Sequence, residues 1–98
     1  MVFMYVHVAL FNIQEGADIT FLEMQKFEEN YDAKPHGLDH FHILQDRANP
    51  HRYWLLEYWD SKEARDKFEE LPIHKEFHKN RAPILDGERE SYELDLVV

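Results

Sequence analysis

The sequence predicts one α+β domain over residues 1–98, with an antiparallel sheet and elements in the order β-α-β-β-α-β. Three observations carry this. Strand-length runs rich in apolar and aromatic residues fill 2–11, 38–46 and 52–59, and apolar residues alternate with polar ones over 91–98. They recur at helical spacing after Gly16 and after Asp60. The length of 98 residues suits a single core and is too short for two.

The first strand, VFMYVHVALF, puts Val2, Met4, Val6, Val8 and Leu10 on one face and Phe3, Tyr5, His7, Ala9 and Phe11 on the other. Both faces are apolar and both call for cover. Asp18 is a plausible N-cap for a helix of three to four turns. Phe21, Met24, Phe27 and Tyr31 form its apolar stripe, with Glu23, Lys26, Glu28 and Glu29 left for solvent. Pro35-His36-Gly37 stops it. Leu38–Asp46 and Arg52–Trp59 read as a hairpin turning through Arg47-Ala48-Asn49-Pro50. Its second strand carries Trp54, Leu56 and Tyr58 on one face and Tyr53, Leu55 and Trp59 on the other. Asp60 or Ser61 caps the next helix, with Glu63 placed as in a capping box and Ala64, Phe68 and Leu71 facing inward. Pro72 opens a further short helix bearing Ile73, His74, Phe77 and His78. Gly87 precedes a last strand, Ser91–Val98.

This order is the ferredoxin-like split arrangement, whose helices lie on one face of the sheet. Two helical segments do not cover two apolar faces. Burying a large apolar side chain contributes roughly 1.5–3 kcal/mol, so a wet second face would cost a small domain much of its stability. Packing against a second copy is the simplest cover, and a homodimer is expected.

Composition narrows the function. Eleven Lys and Arg against twenty Asp and Glu give a net charge of −9, with no basic stripe for phosphates, so nucleic acid is not an expected partner. Residues 2–11 lack the basic leader and small-residue cleavage site of a signal peptide. No stretch approaches the roughly 20 apolar residues of a membrane span. Cysteine is absent, which excludes disulfides, thiol nucleophiles and Cys-based metal sites and suits a reducing, cytoplasmic setting.

The candidate chemistry lies in histidines and aromatics. His7 stands among Phe3, Tyr5, Ala9 and Phe11, where a desolvated imidazole needs a partner, whether backbone, a tyrosine hydroxyl or a substrate. His74 and His78, four residues apart, share a helix face and could bind a metal, although Lys75 stands where an HExxH motif needs Glu. No metal is expected. His40 and His42 share a strand face that is partly exposed or interfacial; His36 and His51 fall in turns. Tyr53, Trp54, Tyr58 and Trp59 could stack on a planar substrate. A pocket between sheet and helices would be bounded by Phe21, Met24, Phe68 and Phe77. Core packing is the alternative for all of these aromatics.

The stretch EYWDSKEARDKFEELPIHKEFHK, Glu57–Lys79, resembles the antibiotic biosynthesis monooxygenase superfamily. The likeness rests on strand-end Trp59, on Asp60-Ser61-Lys62-Glu63-Ala64 opening a helix, and on Leu71-Pro72-Ile73-His74 with Phe77 beyond. It implies a dimeric α+β barrel in which two sheets close on each other. It also implies oxidation of a small aromatic or quinol-like compound by O2 without a cofactor, with His7, His74 or His78 as proton acceptor and Tyr5, Phe21, Met24, Trp54, Trp59, Phe68 and Phe77 as walls. Histidine suits that base because its ordinary pKa, about 6.5, lies near working pH. Where many members carry a histidine in the helix after the tryptophan, this chain has Phe68. The haem-degrading branch implies an alternative: its asparagine, tryptophan and haem-ligating histidine fall on His7, Phe68 and His78, and the last matches. A third reading is a non-catalytic module that binds a small ligand and dimerises.

Overall fold

A computed structural model describes residues 4–30 and 35–98. The elements are β1 (Met4–Asn12), α1 (Asp18–Asn30), β2 (Leu38–Gln45), β3 (Arg52–Trp59), α2 (Lys62–Glu69), α3 (Pro72–Arg81), a 3-10 turn (Ala82–Ile84) and β4 (Glu90–Leu96). Every predicted element is present. Val2, Phe3 and Tyr31 lie outside the described residues.

The four strands form one antiparallel sheet in the order β2-β3-β1-β4, open at both edges. The most apolar strand therefore sits inside the sheet, and the last strand, rich in Ser, Glu and Asp, takes an edge. Helices cover one face. That face carries Tyr5, His7, Ala9 and Phe11 from β1 and Tyr53, Leu55, Glu57 and Trp59 from β3, all buried. The chain is an α+β domain of ferredoxin-like topology, and among its described residues no helix is long and apolar enough to cross a membrane.

The core beneath the helices is divided. One cluster joins Ala9, Phe11, Ile13, Phe21, Tyr53 and Leu55; the other joins Tyr5, Leu38, Trp59 and Phe68, with Ala64 packed against it. The strand register explains the gap. His7 lies directly opposite Glu57 on β3 and opposite Glu93 on β4, so one rung of the sheet is polar on the helix side. The alternation made β3 apolar on both faces, yet its helix-side face includes Glu57 at 5% exposure.

Local chemistry fixes the helices. The Tyr53 hydroxyl donates to the Asp18 carboxylate at 2.7 Å, and the His51 ring lies 3.0 Å from it, tying the start of α1 to the sheet. Ser61 caps α2 by accepting from the Ala64 amide at 3.1 Å, which puts Glu63 at the second helical position and forms no box with Asp60. Pro72 opens α3 as predicted. Three assignments change, two from inward to exposed and one from solvent to the core. Phe27 is exposed at 58% and Leu71 at 46%, while the buried stripe of α1 runs through Phe21 and Gln25 to Glu28, whose side chain is only 9% exposed. A carboxylate assigned to solvent thus faces the core because a histidine of α3 meets it there.

Candidate functional site

The polar rung continues upward into the helices. His74, buried on α3, has Nδ1 2.8 Å from Glu28 Oε1 on α1 and Nε2 2.7 Å from His78 Nε2. Its Nε2 also lies 3.5 Å from Glu69 Oε1 on α2, and Glu69 is paired with Arg65 one turn earlier. His78 Nδ1 accepts from the Arg81 guanidinium at 3.2 Å, and Arg81 also donates to Gln25. A guanidinium only donates, so His78 Nδ1 carries a lone pair and its ring proton sits on Nε2. In the uncharged pair the bonds therefore run in one direction, from Arg81 to His78, from His78 to His74, and from His74 to Glu28.

These contacts separate the titrations. Burial lowers the His78 pKa to about 3, helped by Arg81, Arg89 and His74. Burial pushes His74 the same way, but hydrogen bonds to Glu28 and Glu69 outweigh it and its pKa is raised. The His74 bond, with Arg65 adding to it against the burial cost, holds Glu69 down at about 2.

Glu69, His74 and His78 each bring one ligand atom within 4.8 Å of the others, as a divalent ion would need. The donor set nevertheless does not fit a metal. The proton that Arg81 forces onto His78 Nε2 occupies the lone pair a cation would take, and Arg65 already neutralises Glu69. Haem ligation by His78 meets the same obstacle at Nε2. The space among His7, Gln25, Glu28, Glu57, His74 and Arg81 is also only about 10 Å³, roughly the minimum for one water.

Accessible space adjoins this network. β4 turns Ser91, Glu93 and Asp95 toward the helix side, all exposed, and no apolar side chain there calls for a helix. A cleft of about 400 Å³ is left between α2 and β4, lined by His7, Arg65, Glu69, Arg89, Ser91 and Glu93. His7 is 4% exposed, and its Nδ1, 3.6 Å from Glu57 Oε1, has no hydrogen-bond partner among the described residues. His7 is the one predicted proton acceptor that lines this cleft. His74 and His78 line the filled space behind it.

The predicted wall residues are dispersed. Phe21 packs with Phe11 and Tyr53 at centroid separations of 5.3 Å. Trp59 is fully buried against Phe68, and Phe68 touches His74 with centroids 4.1 Å apart. Met24 and Phe77 line an outer groove with Phe27, and Trp54 is half-buried on the uncovered face of the sheet. Tyr5 donates to Glu93 Oε1 at 2.7 Å beside the cleft. On β2, His40 stacks on Tyr58 at 4.2 Å on the uncovered face. Of the other site residues, the sequence pattern leaves Glu28 to solvent and gives no role to Glu57, Arg65, Glu69, Arg81 and Arg89 in the site. Glu57 was the legible one, because it breaks the apolar alternation of its strand.

The family model for antibiotic biosynthesis monooxygenases matches residues 4–80. Among solved structures, a Nitrosomonas europaea protein provisionally named for that family superposes with a TM-score of 0.88 at 18% identity, covering 99% of this chain and 93% of that one. A conserved protein from Methanosarcina mazei gives 0.82 at 19%, covering 94% and 92%. A Chloroflexus aurantiacus protein, named provisionally in the same way, gives 0.79 at 21%, covering 97% and 94%. At such identities the likeness is one of fold. No curated protein sequence matches. With more than three quarters of its length inside the family model, this chain belongs to the antibiotic biosynthesis monooxygenase family.

Proposed function

We propose that this protein is a cofactor-independent monooxygenase that oxidises a small electron-rich aromatic, a quinol or a phenol, with His7 as proton acceptor. The carrying observation is the buried His7, backed by the Glu57 carboxylate at 3.6 Å, at the floor of the cleft between α2 and β4. His7 takes the phenolic proton, and the carboxylate behind it stabilises the imidazolium that forms. The phenolate then reduces O2. For a quinol, one oxygen atom enters the ring and the other leaves as water, and the hydroxyquinone formed accounts for all four electrons accepted by O2. Family membership supports the reaction class, and a dry position next to the charged network supports the base. The chain works as a homodimer joined through the uncovered sheet face, and its lack of cysteine suits the cytoplasm.

Oxygen uptake with a panel of quinols and anthrones in chelator-treated buffer tests this reading. Removing a general base costs about 10²-fold or more in rate, so His7→Ala is expected to lose activity by that factor and Glu57→Gln by less. No uptake above blank, or an unchanged rate in His7→Ala, would sink the reading.

A further inference from the structure

The arginines of the helix side differ in what they touch. Arg65 is paired with Glu69, and Arg81 with Gln25 and His78. Arg89, immediately before β4, is half-buried in the cleft, yet among the described residues it has neither a hydrogen bond nor a carboxylate within ion-pair distance. Its pKa is lowered by burial, with Arg65 nearby adding to the effect and Glu69 and Glu57 only partly offsetting it. Desolvating a cation costs free energy unless a counter-ion or a set of acceptors is supplied, so a half-buried guanidinium with no protein partner is one that an incoming anion can stabilise. Arg65 adds to the demand: its Nε is buried without a hydrogen-bond partner. Both side chains line the cleft that contains His7, and the Ser91 hydroxyl is available there too.

We infer that Arg89, supported by Arg65, is an anion-recognition subsite and that the cleft takes a small aromatic carboxylate. The assignment deepens the monooxygenase reading and rests on it for the aromatic ring, though the anion subsite itself does not need the reaction. The guanidinium fork matches a planar carboxylate with two parallel bonds. The charge balance selects a monoanion. Glu69 and Glu93 also line the cleft, and their charges oppose a dianion such as inorganic phosphate. A cleft of about 400 Å³ suits a compound of one or two rings, held by its carboxylate at Arg89 with the ring left for His7.

Calorimetric titration with salicylate and with its neutral analogue salicylamide tests the subsite without any turnover. Salicylate is expected to bind about tenfold or more tightly than salicylamide, and Arg89→Gln to abolish that preference. Arg89→Lys, which keeps the charge but not the fork, should retain part of it. Equal affinity for the two compounds, an unchanged preference in Arg89→Gln, or inorganic phosphate binding as tightly as salicylate would each overturn the assignment. Oxygen uptake then compares 2,5-dihydroxybenzoate with hydroquinone. A lower KM for the acid that is lost in Arg89→Gln supports the assignment as a substrate site. Charge-selective binding without uptake leaves the anion subsite standing and sinks the monooxygenase reading alone.

Discussion

Between His74 and His78 two ring nitrogens lie 2.7 Å apart and share one proton, so the pair titrates as a unit. It accepts a first extra proton on His74 more readily than a free histidine does, and refuses a second until about pH 3. An unfolded His78 takes its proton near pH 6.5, so between that pH and about 3 the unfolded chain binds more protons and stability falls as pH drops. Glu69 adds a loss that starts as pH passes below its unfolded value of 4.5 and runs toward about 2. His74 acts the other way: its contribution is present below 6.5 and fades as pH rises through its raised folded value. Because the His78 ring is only half-buried, solvent screening reduces its share to about 1–2 kcal/mol. Urea denaturation at pH 7.5, 6 and 4.5 should show this acid-side slope, and His78→Gln should flatten it by about that amount. A variant with an undiminished slope would show that the pair does not control acid stability. Protonation of His74 makes its Nε2 a donor, from which the Glu69 carboxylate at 3.5 Å can accept and His78 Nε2, whose own proton is fixed by Arg81, cannot.

At the scale of elements, the tightest joint is between the turn before β2 and helix α2. Gly37 has φ of +90°, and a Cβ placed there would lie 2.5 Å from the Ala64 Cβ. Its carbonyl also accepts from the Asp60 amide at 2.8 Å, so the turn has little freedom to retreat. Gly37→Ala should therefore cost about 1–2 kcal/mol for the left-handed backbone and more for the clash. Gly16→Ala, at φ +89° with open space around it, should cost the backbone part alone. Adding Ala64→Gly should recover the steric part in a thermal melt; no recovery would place the cost elsewhere. The elements themselves were legible because period-two and helical spacing are properties of neighbouring residues, and the buried Trp59 and Phe68 follow from them. The site was less legible. His7 stood out as a lone polar residue on an apolar face, but its partner depends on the register between β1 and β3, and Glu28 turns inward only because α3 brings His74 to α1. Such pairings arise between residues 46 and 50 positions apart, where local patterns carry no signal. The open cleft, likewise, follows from β4 lying at an edge beyond the reach of α2.

For the whole molecule, the unsolved problem is the second face of the sheet. β1 is buried from Tyr5 to Phe11 on both sides, while Leu44, Tyr92 and Leu94 around it are left 49%, 44% and 54% exposed. Trp54, Leu56 and Tyr58 are half-buried on the same side. An apolar surface of this extent, on a domain with a single helical layer, is of the kind that marks an interface. A second copy supplies a matching face, since a two-fold axis brings identical apolar strands together. Charge opposes the association: each copy carries −9, so added salt should tighten the dimer by screening the repulsion, the reverse of an interface held by ion pairs. Light scattering at tens of micromolar protein is expected to give twice the chain mass of 11.9 kDa. Leu94→Glu, which sets a carboxylate opposite Val6 in the middle of that face, should give a folded monomer. Ile73→Glu, on the 61% exposed outer side of α3, should leave the mass unchanged. A parent protein that is monomeric at all salt concentrations would refute sheet-to-sheet pairing, and a Leu94→Glu protein that remains dimeric would move the interface to the helical layer.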